Sequence, residues 1–129
     1  MVQQTLPKIR LAPDDCPVRD VLNRVGDKWS VLVLHVLTDQ TKRFTELKND
    51  IDGISQRMLT VTLRGLERDG LLSRTVYPVV PPRVDYTLTD LGQSLSATIN
   101  NLVEWAERSR PLIDAARNDY DQREDTPNQ

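Results

Sequence analysis

Apolar residues recur at helical spacing from the first regular segment onward. Pro17 suits a first helical turn, Val18, Val21, Leu22 and Val25 follow it on one face, and Gly26 closes the run. Asp27 is placed to cap a second helix, in which Trp29, Leu32, Val33, Val36 and Leu37 form a wide apolar stripe. After a turn at Asp39-Gln40-Thr41, the pattern predicts a one-bridge strand at Lys42-Arg43-Phe44. A short helix follows from a Thr45 cap to Ile51, with Phe44, Leu47 and Ile51 turned inward. Asp52-Gly53 is a turn, Ser55 caps a helix that runs to Asp69, and Gly70 stops it. Two β-runs, Leu71–Val79 and Arg83–Leu88, flank a stiff Val80-Pro81-Pro82 tip. Thr89 then caps a long helix carrying Leu91, Leu95, Ile99, Leu102, Val103, Trp105 and Ala106 on one broad side. Pro111 predicts a kink or break near Arg110, before a last segment with Leu112, Ile113 and Ala116.

This order of elements predicts an α+β fold, mainly α: a winged helix-turn-helix with a two-stranded wing and a long C-terminal dimerisation helix. Residues 1–15, with two prolines and no period, read as a flexible arm, residues 16–120 as one domain, and residues 121–129 as a disordered acidic tail.

The helix after Ser55 carries the candidate chemistry. Leu59, Leu63 and Leu66 centre on one direction; Arg57, Val61, Arg64 and Arg68 centre on the opposite one, with Thr60 at the flank. Arginine can bind a guanine edge with two hydrogen bonds, a Val or Thr methyl can touch a thymine methyl, and Gln56 can read adenine. On its own this face fits a solvated amphipathic helix as well as a DNA-reading one. Arg83, behind Pro82, would arm the wing for phosphate or a minor groove. Lys42, Arg43 and Lys48 are expected to contact phosphate, with Thr45 and Ser55 also at the DNA, and Arg43 has Glu46 and Asp50 as alternative partners.

Charge changes the picture only when it is divided. The chain of 129 residues has a formal net charge of −2. Yet residues 42–83 hold eight basic against five acidic side chains, whereas residues 114–129 hold five acidic against two basic. Phosphates meet the local field, so the middle of the chain suits a nucleic acid despite the total. No run of 18 apolar residues exists, which argues against a membrane span, and no apolar leader segment is visible. A single cysteine excludes an internal disulfide and fits a cytoplasmic location. The one histidine, His35, has no partner at metal-ligand spacing, so neither a metal nor a cofactor is expected. No paired-carboxylate, Cys–His or phosphate-loop constellation suggests an enzyme. The apolar side of the long helix exceeds what a small winged domain can cover. Val18, Val21, Leu22, Leu95, Ile99, Leu102, Trp105, Leu112 and Ile113 are therefore expected at a dimer interface.

Several stretches together resemble the HxlR-type winged-helix regulators, which are similar in architecture to the MarR group. They are Cys16-Pro17-Val18, Gly26-Asp27-Lys28-Trp29, Arg43-Phe44-x-x-Leu47, Gly53-Ile54-Ser55, Met58-Leu59, Leu63-x-x-Leu66-Glu67-x-Asp69-Gly70-Leu71, Tyr77-Pro78 and Pro81-Pro82-Arg83-Val84-Asp85-Tyr86-x-Leu88-Thr89-x-x-Gly92, with Trp105 beyond them. The resemblance implies a cytoplasmic homodimer on a pseudo-palindromic, double-stranded operator near a promoter, and the leading reading is a repressor. It also bears on Cys16, because some members sense oxidants or electrophiles through a cysteine at this place. Cys16 reads equally as an inert interface thiol. The alternative to a DNA-binding regulator is a winged-helix protein-interaction module without base readout.

Overall fold

The computed structural model describes residues 17–125. Two short helices come first, α1 (Pro17–Gly26) and α2 (Lys28–Val36), followed by strand β1 (Thr41–Arg43) and helix α3 (Phe44–Asp50). Helix α4 (Gln56–Arg68) leads into strands β2 (Leu72–Tyr77) and β3 (Arg83–Leu88), and α5 (Asp90–Asp125) ends the fold. The strands form an antiparallel sheet in the order β1-β3-β2, with Lys42 opposite Tyr86 and Arg74 opposite Tyr86 from the other side.

Local chemistry sets the element ends. Trp29 N–H donates to Asp27 Oδ1 at 3.1 Å, and the Ser30 hydroxyl donates to Asp27 Oδ2 at 2.8 Å, so one carboxylate closes the start of α2. Met58 N–H donates to Ser55 Oγ at 3.0 Å at the start of α4. Gly70 stops that helix with φ +78°, a backbone state open to glycine and strained for other residues. At the start of α5, Gly92 N–H donates to Thr89 Oγ1 at 3.1 Å.

The core is aliphatic. Val33, Leu34 and Leu37 meet Leu47, Ile51 and Ile54, then Leu59, Leu63 and Leu66 of α4, with Leu71, Leu72, Leu88 and Ile99 closing the far side. Trp29, Phe44 and Tyr86 pack on its edge. His35 is exposed, and its Nδ1–H donates to Asn100 Oδ1 at 2.6 Å, while Asn100 Nδ2 donates to Thr38 Oγ1 at 3.1 Å. The histidine thus ties α2 to α5.

Four expectations are corrected. Phe44 begins α3 rather than ending β1. The N–H of Arg43 is taken by the Glu46 carboxylate at 3.0 Å, so the cap comes from inside the helix and not from Thr45. Pro111 does not break α5: the helix is continuous from Asp90 to Asp125. A proline removes one N–H, and the carbonyl it would have served belongs to exposed Glu107, where solvent can satisfy it. The helix also continues past Asp121, where a disordered tail was expected. Asp119 and Arg123 pair at 3.5 Å one turn apart, and the Arg123 guanidinium lies 5.9 Å from the Tyr120 ring. Finally, Ile99 is 1% exposed and belongs to the core of its own chain, because the first half of α5 packs on α2. It is not available to a partner.

Candidate nucleic-acid interface

Helix α4 buries Leu59, Thr62, Leu63 and Leu66 and turns the rest outward. Gln56, Arg57, Val61, Arg64 and Arg68 are exposed, and Thr60 is half-buried. Arg57, Arg64 and Arg68 have no ion-pair partner among the described residues. Between them Val61 is 56% exposed, with Met58 beside it. A β-branched residue at a solvent-facing helical position costs propensity and gains no packing, so a contact outside the chain accounts for it best. The Thr60 hydroxyl donates back to the Gln56 carbonyl at 2.9 Å.

Four cations of neighbouring elements are held differently, while Arg43 and Lys48 have no ion-pair partner among the described residues. Lys42 Nζ is paired with Asp50, against the expectation that Arg43 would compete for that carboxylate; Arg43 itself is exposed. Arg74 Nε lies 3.5 Å from Glu67, and Arg24 is paired with Asp69. Arg83 does not reach out from the wing tip. Its Nε and Nη2 donate to the two oxygens of Asp85 at 3.0 and 3.1 Å, and its guanidinium lies 5.2 Å from the Tyr77 ring. The hydrogen bonds to Asp85 raise the Arg83 pKa above its ordinary value. The tip is apolar instead, with Val80 fully exposed between Val79 and the two prolines.

A small cleft of about 190 Å³ opens behind α4, lined by Thr60, Leu63, Arg64, Glu67, Arg74 and Tyr86. Burial pushes the Tyr86 phenol up from its usual value, and the Arg74 charge pulls against it. Arg74 was not among the expected contact residues. Only the sheet register, which sets it opposite Tyr86 and next to α4, brings it to this edge. Met58 was likewise missed, because helical periodicity sets it on the flank between the two faces.

The dimer expectation divides. Val21, Leu22, Leu102, Trp105 and Leu112 are exposed, whereas Leu95 and Ile113 are half-buried. The Val18 side chain and the candidate sensor Cys16 lie outside the described residues. Among the described residues no cluster of His, Cys, Asp and Glu is grouped to hold a metal, and no helix is long and apolar enough to cross a membrane.

A family model of HxlR-like helix-turn-helix proteins matches residues 24–113, which include the whole wing and α4. The chain belongs to the HxlR-like helix-turn-helix family. It is accordingly a transcriptional regulator and not an enzyme. Among HxlR-like relatives, the HTH-type transcriptional regulator YtfH of Escherichia coli K12 is 42% identical over 118 residues, covering 92% of this chain and 94% of the relative. The solved YtfH of Salmonella typhimurium superposes with a TM-score of 0.77 at 42% identity, over 86% of this chain and 99% of that one. The redox regulator HypR in its reduced form superposes with a TM-score of 0.72 at 39% identity, over 77% and 98%.

Proposed function

We propose that this HxlR-like regulator binds a pseudo-palindromic operator as a homodimer and represses from it. The observation that carries the reading is the contrast in cation pairing. Arg57, Arg64 and Arg68 on α4 have no ion-pair partner among the described residues and surround exposed Val61, while Lys42, Arg74 and Arg83 of the flanking elements are held by acids and only Arg43 and Lys48 there are without one. Gln56, Arg57, Thr60, Val61 and Arg64 face base edges in the major groove. Arg43, Thr45 and Ser55 meet phosphate; the Ser55 oxygen accepts from Met58, which leaves its hydroxyl hydrogen to donate. Lys42, Pro82 and Arg83 join where phosphate competes with Asp50 and Asp85 for the two cations. The protein acts in the cytoplasm, where the operator lies.

The test is a titration of a labelled upstream region against unrelated DNA. Arg64→Ala is expected to weaken specific binding about tenfold, within the range of one lost bidentate base contact, and to leave non-specific binding nearly unchanged. Equal loss on both DNAs would assign Arg64 to phosphate alone. Binding that does not weaken with rising salt would favour a protein-interaction module instead.

The regulatory signal we propose is modification of Cys16, by oxidation of its thiolate to a sulfenic acid or by its addition to an electrophile. Support comes from the likeness to HypR, a protein named as a redox regulator, and from Cys16 being the one cysteine in the chain. Oxidant is expected to release the wild-type protein from DNA and to spare Cys16→Ser. Release of both would remove Cys16 from the mechanism.

A further inference from the structure

Gly65 stands inside α4, where glycine costs about 1 kcal/mol relative to alanine. No positive φ requires it there. Its neighbour does. A Cβ at this position would lie 2.8 Å from both terminal nitrogens of Arg24 and 3.1 Å from its Cζ. The guanidinium of a residue from the last turn of α1 therefore rests directly on the backbone of α4. Its Nε pairs with Asp69, the residue that closes α4 one turn further on, whose N–H donates to the Gly65 carbonyl at 3.1 Å. The body of α1 packs on α2, so Arg24 is the reach of α1 toward the reading helix. Arg24 and Asp69 also line an open cleft of about 500 Å³ whose other walls are Val21 of α1, Leu71, and Leu91 and Leu95 of α5.

We infer that Arg24 is a positioning residue for DNA reading: it fixes α4 relative to α1, and Gly65 is present to admit it. The inference rests on the homodimeric DNA-binding reading. In a two-fold dimer built on α1 and α5, the separation and tilt of the two α4 helices must match half-sites about 34 Å apart. An error in the α1–α4 angle is carried into both half-sites, whereas random DNA sets no such requirement. The pair is partly exposed, and such pairs add little to folding stability. Its effect belongs to geometry.

The test compares wild type, Arg24→Ala, Gly65→Ala and the double variant, each for binding to the upstream region and to unrelated DNA. Alanine at position 65 displaces the guanidinium and breaks the same tie that Arg24→Ala removes. Each single variant is expected to lower the ratio of specific to non-specific affinity about tenfold, and the double variant to lower it no further. Unfolding midpoints report independently: Gly65→Ala is expected to raise the midpoint in the Arg24→Ala background, where the three atoms nearest its Cβ are gone. Losses that multiply in the double variant overturn the shared tie. A specific preference that survives all three substitutions overturns this inference alone, while a wild-type protein with no preference for its upstream region overturns the DNA-binding reading and this inference with it.

Discussion

Gly92→Ala is expected to destabilise the fold by about 3 kcal/mol, the upper end of what overpacking usually costs. A Cβ at Gly92 would lie 1.9 Å from the Leu71 carbonyl oxygen and 3.0 Å from its carbon. Both atoms are backbone, and neither is free to yield. Leu71 O accepts the Thr89 N–H at 3.1 Å, and Thr89 Oγ1 donates to the Gly70 carbonyl at 2.6 Å. Relief would therefore require α5 to lift from the α4–β2 junction, taking the Thr89 cap and the Ile99 contact with it. Thermal or urea unfolding followed by circular dichroism checks this, with a midpoint drop of roughly 10 °C expected for a domain of this size. A midpoint within two degrees of wild type would mean that α5 does not approach Leu71 so closely. The contrast with Gly65 is instructive. There the obstructing atoms are the far end of one arginine side chain, which can swing away, so the same substitution is expected to cost function and not the fold.

Elements with a polar residue at their start or a glycine at their end were legible in the sequence. Asp27, Ser55 and Thr89 each make the capping bond their side chains predict, and Gly70 takes the positive φ its position suggests. The exposed face of α4 was legible too, because period 3.6 separates Leu59, Leu63 and Leu66 from Arg57, Val61 and Arg64 without any tertiary information. Ion pairing was not. Arg83 with Asp85, Lys42 with Asp50 and Arg24 with Asp69 are two, eight and forty-five residues apart. Which acid a cation meets depends on packing that pattern does not encode. Nor could the apolar stripe of α5 divide itself. Ile99 and Leu102 read alike along the chain, and only the docking of α2 sends the first into the core and leaves the second exposed. Pro111 misled for a related reason: the cost of a missing N–H depends on whether the orphaned carbonyl can reach solvent, and on this exposed stretch it can.

The substitution expected to change DNA binding most lies far from the reading helix. Beyond Val103, α5 runs on for 22 residues, about 33 Å at 1.5 Å per residue. Over that length its side chains are almost all exposed, including Trp105 at 52% and Leu112 at 74%. Leu102, Trp105 and Leu112 fall on one stripe of this helix at spacings of three and seven. An apolar stripe of this length is poorly suited to solvent, and in the homodimer proposed above a second copy of the chain would cover it. Trp105→Glu combined with Leu112→Glu is therefore expected to yield a folded monomer, since neither side chain contributes to the protomer core. Light scattering at micromolar concentration should show the halved mass while circular dichroism keeps its helical signal. Operator affinity should then fall by 100-fold or more, because the second half-site is no longer bound at the high effective concentration that linkage provides. Non-specific binding per protomer should change far less, since the unpaired arginines of α4 are untouched. A doubly substituted protein that remains dimeric would move the interface to another face. A monomer that still held the operator at wild-type affinity would mean that one α4 reads the site alone.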